Sequence, residues 1–219
     1  YTGDGNRDIS FNGKRIILSS QSGPEATIID VEGSSSAKHR AFVFESNETR
    51  DTMINGFTIK GSYLYNNGIV GEGGAVRCDK ASPAFFNCIF SENKVYGYPA
   101  KGGAVEAVDS EPYFCNCKFM NNTAQDGGAA IYSAGHTVLD NCLILGNSDE
   151  SLLLTGRGSC IELENCTVTN STSESYGVYS GPDLSAIVAK SCIFWSNSDS
   201  PFNLGTYASA VITFSNVTG

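Results

Sequence analysis

Short apolar segments introduced by an Asn-Cys pair recur along this chain. The cysteines of successive copies are 29, 25, 24 and 26 residues apart. A period of about 20–30 residues with one short apolar strand per repeat is the signature of a solenoid. We therefore expect residues 1–219 to form a single domain, because each coil of a solenoid contacts only its neighbours. The copies are Asn87–Asn93, Asn116–Asn122, Asn141–Asn147, Asn165–Asn170 and Ser191–Asn197.

The alternation inside each copy predicts which side chains face inward. Residues two apart on a strand share a face, so Cys88 and Phe90 are expected to point the same way. Asparagine suits the bend before the strand, since it tolerates left-handed backbone torsions, and stacked Asn side chains can form an amide ladder. We place Asn55 and Gly56 in the Asn and Cys positions of a degenerate copy. The other expected inward pairs are Cys117/Phe119, Cys142/Ile144, Cys166/Val168 and Cys192/Phe194.

Small-residue turns precede the fuller copies and carry a resemblance to known repeats. Gly73–Val76 and Gly102–Val105 read Gly-Gly-Ala-Val, Gly127–Ala130 reads Gly-Gly-Ala-Ala, and Phe90 to Asn93 and Phe119 to Asn122 read Phe-x-x-Asn. These phrases resemble the repeats of chlamydial polymorphic outer-membrane adhesins. With the opening segment Gly5–Lys14, they are similar to right-handed parallel β-helix repeats of large secreted bacterial proteins.

The resemblance implies an all-β, right-handed parallel β-helix of about eight coils without evident end caps. It leaves function open, because that fold hosts adhesins, polysaccharide lyases, hydrolases and inert stalks.

Charge and hydropathy exclude two classes of partner. The net charge of −9, from 14 basic and 23 acidic residues, disfavours nucleic acid, whose phosphates need a basic face. No apolar run approaches the roughly 18 residues of a membrane span, so we predict no membrane insertion.

Asn-x-Ser/Thr triplets are compatible with a secreted protein, so the predicted location is extracellular or at the cell surface. The glycosylation candidates are Asn47, Asn121, Asn170 and Asn216. A fifth triplet, at Asn165, occupies a ladder position and is not expected to carry sugar.

Metal and cofactor sites are not predicted. The chain has no Cys-x-x-Cys motif, and His39 and His136 are isolated in the sequence. The segment Gly3–Asn6 is a weak candidate for structural calcium.

The cysteines are interpreted as small inward hydrophobes. Parallel side chains on adjacent coils leave Cβ atoms about 4.8 Å apart, beyond the usual range of disulfides. Cys88, Cys117, Cys142, Cys166 and Cys192 are therefore expected to stay unbridged.

The sequence contains one row of charged and polar residues that could supply catalytic groups. Arg77, Glu106 and Tyr132 are expected to align outward across three coils, with Lys80 and Asp109 one step further along. Such a row is typical of a solvated ion-pair face. We predict no catalytic residue.

Paired tyrosines in the loops between coils are the candidate binding residues. Tyrosine combines an apolar ring with a hydroxyl, which suits contact with glycan or with a protein partner. The alternative is that the rings only cover the coil edge. The pairs are Tyr63/Tyr65, Tyr96/Tyr98 and Tyr176/Tyr179, and Tyr207 is assigned to the equivalent loop of the last coil.

Two functional hypotheses follow. The first is a non-catalytic extracellular structural or adhesive module that contacts glycan or a surface protein through its tyrosines. The second is a polysaccharide-acting lyase or glycoside hydrolase of the parallel β-helix type. An outward groove that gathers two carboxylates, or a basic residue with acids, within about 10 Å would favour the enzyme.

The two ends of the chain show no capping segment. The sequence from Tyr1 enters a coil directly, and the segment Phe214–Gly219 follows a strand. Terminal coils expose unpaired backbone groups. We therefore expect either that the chain is a segment of a longer protein or that copies self-associate end to end through their terminal coils, which would grow filaments.

Overall fold

The computed structural model describes residues 1–67, 73–148, 151–171, 176–181, 184–197 and 201–217. It also leaves out seven side chains within these ranges: Asn67, Leu154, Asn170, Ser171, Tyr176, Ser196 and Asn197. The described residues form 27 strands and one short 3-10 helix, Asp4–Asn6. None of the described helical residues makes a helix long and apolar enough to cross a membrane.

Three long sheets form the walls of the solenoid. The first contains β1 (Ile9–Ser10), β4 (Phe42–Phe44), β8 (Val76–Asp79), β12 (Val105–Val108), β16 (Ile131–Ala134), β19 (Ser151–Thr155), β22 (Tyr176–Ser180) and β25 (Phe202–Leu204). The second contains β2 (Ile17–Ser19), β5 (Met53–Asn55), β9 (Ala84–Phe86), β13 (Tyr113–Cys115), β17 (His136–Asp140), β20 (Cys160–Glu164), β23 (Ala186–Lys190) and β26 (Ser209–Thr213). The third contains β3 (Ile28–Asp30), β6 (Thr58–Lys60), β10 (Ile89–Ser91), β14 (Lys118–Met120), β18 (Leu143–Leu145), β21 (Thr167–Ser171), β24 (Ile193–Asn197) and β27 (Asn216–Val217).

The chain passes through the three sheets in turn, and each strand pairs in parallel with the strand one turn later. Phe90, for example, lies opposite Phe119, which lies opposite Ile144. This arrangement confirms the predicted parallel β-helix. Six of the eight strands in each sheet have a neighbour on both sides, so the complete inner turns are slightly fewer than the eight predicted. The edges of β25, β26 and β27 have a partner on one side, and end-to-end association stays a prediction.

A fourth, small sheet stands outside this pattern. It contains β7 (Tyr63–Asn67), β11 (Lys94–Tyr98) and β15 (Thr123–Ala124), each lying between a strand of the third sheet and the next strand of the first. Three successive turns therefore carry an extra strand at the same corner.

The core consists of stacked like residues, as the alternation predicted. The rings of Phe90 and Phe119 stack with centroids 4.9 Å apart, and those of Phe85 and Phe114 with centroids 5.0 Å apart. Rings of the two stacks meet edge to face, a favourable arrangement for aromatic quadrupoles. All five predicted inward pairs are buried: Cys88/Phe90, Cys117/Phe119, Cys142/Ile144, Cys166/Val168 and Cys192/Phe194.

The eight cysteines are free thiols. The five that follow the bend each donate a hydrogen bond to the carbonyl oxygen two residues earlier; for Cys88 the acceptor is Phe86, at 3.2 Å. Burial raises the pKa of Cys117 well above its usual value. The thiol of Cys117 is therefore protonated in the core.

An exposed Asn ladder runs along the bends. The side-chain amide of Asn116 donates to Oδ1 of Asn87 at 2.6 Å, and that of Asn87 donates to Oδ1 of Asn55 at 2.8 Å. Asn87, Asn116 and Asn141 all have φ near +53°. Asparagine tolerates this left-handed region better than most residues, which explains its recurrence at this position.

A second Asn ladder is buried. Asn93, Asn122 and Asn147 are completely enclosed, and Nδ2 of each donor lies 2.8–3.0 Å from Oδ1 of the next residue in the series. The same Oδ1 atoms accept the backbone N–H groups of the preceding turn, at 3.1 Å for Asn93 and 3.0 Å for Asn122. Each side chain thus satisfies backbone groups that would otherwise be buried unpaired.

One predicted alignment is wrong by one residue. Gly56, not Asn55, takes the left-handed bend position, with φ of 80°, so Phe57 stands level with Cys88. Backbone torsion and strand register, not the sequence phrase, decide the position.

The buried ladder should contribute more to stability than the exposed one. Replacing Asn122 with Ala removes the acceptor of two Asn93 donors and leaves buried polar groups unpaired, at about 1–3 kcal/mol each. We expect the free energy of unfolding, measured by urea titration, to fall by more than about 2 kcal/mol. The control is Asn116→Gly. Glycine tolerates the φ of 54° at this position, so this variant should lower the free energy of unfolding by less than about 1 kcal/mol. Equal losses in the two variants would contradict this interpretation.

Candidate functional site

Four of the predicted tyrosines lie together on the small sheet. Tyr65 pairs directly with Tyr96, and the rings of Tyr63 and Tyr96 are 5.6 Å apart. Tyr65 is 48% exposed and Tyr98 is 76% exposed. The ammonium of Lys38 lies 5.3 Å from the centre of the Tyr65 ring, a cation–π distance. We call Tyr63, Tyr65, Tyr96 and Tyr98 the tyrosine surface.

The remaining tyrosine predictions are wrong in position. Tyr179 lies on β22 of the first sheet, and Tyr207 lies in the turn between β25 and β26. Tyr176 begins β22, and its side chain lies outside the described part of the chain.

A cleft adjoins the tyrosine surface. Its volume is about 550 Å³, within the roughly 300–1,000 Å³ of small-molecule sites. Glu92 and Lys94 contribute opposite charges to its wall, Asn121 contributes an amide, and Tyr63 contributes a ring. The cleft is lined by Gly33, Gly61, Ser62, Tyr63, Glu92, Lys94, Asn121 and Thr123.

This combination of groups suits a ligand with both hydroxyls and an apolar face. A carboxylate accepts hydrogen bonds, an ammonium donates them, and a side-chain amide does both. An aromatic ring beside these groups provides an apolar contact with a defined orientation. The cleft can therefore hold a neutral polar molecule such as a sugar.

The glycosylation candidates differ in position. Asn47, Asn121 and Asn216 are exposed, whereas the side chain of Asn170 lies outside the description. Asn121 lines the cleft, so a glycan attached there would occupy it. The excluded Asn165 is also exposed, and its amide donates to Oδ1 of Asp140 at 3.4 Å. Glycosylation itself stays a prediction.

The mixed row of Arg77, Glu106 and Tyr132 is aligned as predicted but is not a solvated ion-pair face. Glu106 is only 4% exposed, and its carboxylate accepts the backbone N–H of Gly73 at 3.0 Å. Burial raises the pKa of Glu106, against the attraction of Arg77. Arg77 itself pairs with Asp79 at 2.8 Å.

The side chains of the calcium candidate, Gly3–Asn6, already have nearby partners. Oδ1 of Asp4 lies 3.2 Å from a guanidinium nitrogen of Arg7, and the amide of Asn6 donates to the carbonyl oxygen of Thr2 at 2.7 Å. The positive charge of Arg7 competes with a cation at this position.

Three residues that the sequence analysis treated as unrelated meet on the outward face of the second sheet. His136 is directly opposite Cys160, and Glu162 is two residues further along the same strand. Nε2 of His136 lies 3.3 Å from Oε1 of Glu162. Burial raises the pKa of the Cys160 thiol, and the charge of Glu162 adds to that effect. The expectation that His136 is isolated was therefore wrong.

A signal for this cluster exists in the sequence. Cys160 follows His136 by 24 residues, the same interval that separates Cys142 from Cys166. One turn of the solenoid therefore places Cys160 beside His136.

Two further carboxylates share this face. Asp140 is directly opposite Glu164 on β17 and β20. The hydroxyl of Tyr113 donates to Oδ2 of Asp140 at 3.3 Å, and the ammonium of Lys190 donates to Oε1 of Glu164 at 2.8 Å. Each carboxylate therefore has a donor from a neighbouring turn.

The buried Glu106 should make stability depend on pH. Because its folded pKa is raised above the usual 4.5, the native state keeps a proton that the unfolded state has lost, and stability falls as pH rises above about 4.5. Glu106→Gln removes this titration. We expect urea titrations to show the wild type losing stability relative to the variant between acidic and neutral pH. A difference that stays constant with pH would contradict the raised pKa.

Comparison with known proteins agrees with the architecture. The family model described as the right handed beta helix region matches residues 42–218. No curated protein and no solved structure matches the chain. The match covers most of the chain, and the described turns have the parallel three-sheet path of that fold. The chain therefore belongs to the right-handed β-helix family.

Proposed function

We propose that this chain is a non-catalytic structural or adhesive β-helix module, acting outside the cell or on its surface, whose tyrosine surface binds glycan. The observation that carries the proposal is the placement of Tyr63, Tyr65, Tyr96 and Tyr98 on two adjacent strands beside a polar cleft. This arrangement is confined to the corner where the small sheet departs from the regular turns.

Carbohydrate is the ligand class that fits these groups best. The exposed rings of Tyr65 and Tyr98 offer flat apolar area that a sugar ring can cover. Glu92, Lys94 and Asn121 supply donors and acceptors for its hydroxyls. A protein partner would also use tyrosine, but the cleft favours a small ligand or the end of a glycan chain.

The structural part of the proposal is supported by how the chain distributes its residues. The inward positions are filled by stacked Phe, Cys and Asn, and the turns pair in parallel along three continuous sheets. The exposed triplets at Asn47 and Asn216 and the resemblance to surface adhesin repeats favour an extracellular location.

Removing two rings of the tyrosine surface should weaken glycan binding. We expect glycan-array screening to identify a ligand and calorimetry to show at least about tenfold weaker binding for Tyr96→Ala/Tyr98→Ala, equivalent to about 1.4 kcal/mol. The control is Tyr207→Ala, which removes a ring that is 77% exposed but lies elsewhere. Unchanged binding in the double variant would refute the proposal. If the ligand that depends on these tyrosines is instead a surface protein, the proposed glycan ligand is wrong and the partner is a protein.

A second candidate function has one specific observation in its favour. Asp140 and Glu164 are opposed on adjacent strands, about 4.8 Å apart in backbone spacing, with Lys190 beside Glu164. Glycosidases use a pair of carboxylates that face one groove. A polysaccharide-acting enzyme is therefore the alternative, although both carboxylates already accept a hydrogen bond from a neighbouring turn.

Assays of a polysaccharide panel for new reducing ends or unsaturated products test this alternative. If the face is catalytic, Asp140→Asn should lower kcat at least about 100-fold, while Glu111→Gln, an exposed acid outside the pair, should not. Absence of products from the whole panel would leave the binding module as the surviving proposal.

A further inference from the structure

We propose that His136, Cys160 and Glu162 form a binding site for a divalent transition-metal ion of the zinc class. The site lies on the outward face of the second sheet and is built from two adjacent strands, β17 and β20. It is independent of the tyrosine surface, which lies on the small sheet.

The geometry brings three ligand atoms of different chemistry to one place. His136 and Cys160 are opposed across the two strands, and Glu162 shares the face of Cys160 because residues two apart point the same way. One imidazole nitrogen, the thiol sulfur and one carboxylate oxygen all lie within 4.8 Å of one another.

These spacings are close to those of a coordinated ion. Tetrahedral zinc holds sulfur at about 2.3 Å and nitrogen or oxygen at about 2.0–2.2 Å, so ligand atoms lie roughly 3.3–3.6 Å apart. The distance of 3.3 Å between Nε2 of His136 and Oε1 of Glu162 already meets this requirement. The sulfur of Cys160 lies within 4.8 Å of the other two ligand atoms, so it needs to approach by at most about 1.5 Å to reach tetrahedral spacing.

A simple ion pair does not account for the arrangement. Nε2 of His136 is a buried atom without an aligned hydrogen bond in the described part of the chain, although the carboxylate is only 3.3 Å away. The thiol sulfur of Cys160 lies within 4.8 Å of a ring nitrogen of His136 and of a carboxylate oxygen of Glu162. A cation between the three atoms would engage the imidazole lone pair, the thiolate and the carboxylate together.

The donor set selects the class of ion. Sulfur and imidazole together favour zinc and similar borderline ions over magnesium or calcium, which prefer oxygen alone. Three protein donors on an open sheet face leave the fourth tetrahedral position to water or an external ligand. Because the ligands lie on paired strands, their backbone positions are fixed before binding.

Titration of the reduced full-length chain with cobalt chloride and zinc chloride tests the site. We expect one ion per chain by elemental analysis and a near-ultraviolet charge-transfer band for bound cobalt, which reports a thiolate ligand. Cys160→Ser should abolish the band. His136→Gln and Glu162→Gln should each weaken zinc binding at least about tenfold.

Two control variants separate this site from other thiols and acids. Cys115→Ser removes the half-buried thiol of β13, and Glu164→Gln removes a neighbouring carboxylate of the same strand. Both should keep the band and the affinity. Circular dichroism verifies that each variant is folded. If Cys160→Ser does not fold, His136→Gln and Glu162→Gln still test the site. Failure to bind cobalt or zinc, a band that survives Cys160→Ser, or equal weakening in the controls would overturn the proposal.

Discussion

The buried ladder of Asn93, Asn122 and Asn147 is the interaction on which the regular part of the solenoid depends. The amides of Asn93 and Asn122 each donate to the asparagine of the next turn, and Oδ1 of Asn122 and Asn147 also accepts a backbone N–H of the previous turn, which fixes the register of stacking. A slip of one residue would move Asn122 away from these donors and turn the inward side chains of the strand outward, leaving the donors unpaired in the core. The phenylalanine stacks follow from this register, because it places Phe90 directly over Phe119.

This constraint separates the residues that maintain the fold from those free to serve a function. Inward positions must repeat from turn to turn, whereas outward positions and the connections between sheets need not. The long connections after β6, β10 and β14 add the small sheet and bring the tyrosines together. The outward face of the second sheet instead collects His136, Cys160 and several carboxylates without changing the coil path.

Positions that recur in every turn were predicted correctly from the sequence. Positions that differ from turn to turn were not. The inward pairs such as Cys88 and Phe90 follow from period-2 alternation, and they were predicted correctly. The shift of Gly56 was missed because Asn55 matches the phrase, while the positive φ falls on the next residue. Tyr179 was misplaced because it belongs to β22, whose register against β19 and β25 of the first sheet is a contact between turns and not a property of the local phrase. Glu106 was expected outside because burial of a carboxylate requires a partner, here Gly73, that only the fold reveals.

Contacts between turns explain why the outward clusters could not be predicted from local motifs. His136 and Cys160 are 24 residues apart, so no short motif joins them, yet the stacking of one turn on the next makes them neighbours. The same is true of Tyr65 and Tyr96. In a solenoid the relevant spacing for a site is one turn, and that spacing varies with each connection. The register set by the Asn ladder is therefore also what assembles the candidate sites, since a shift of one residue would move His136 away from Cys160 and Tyr65 away from Tyr96.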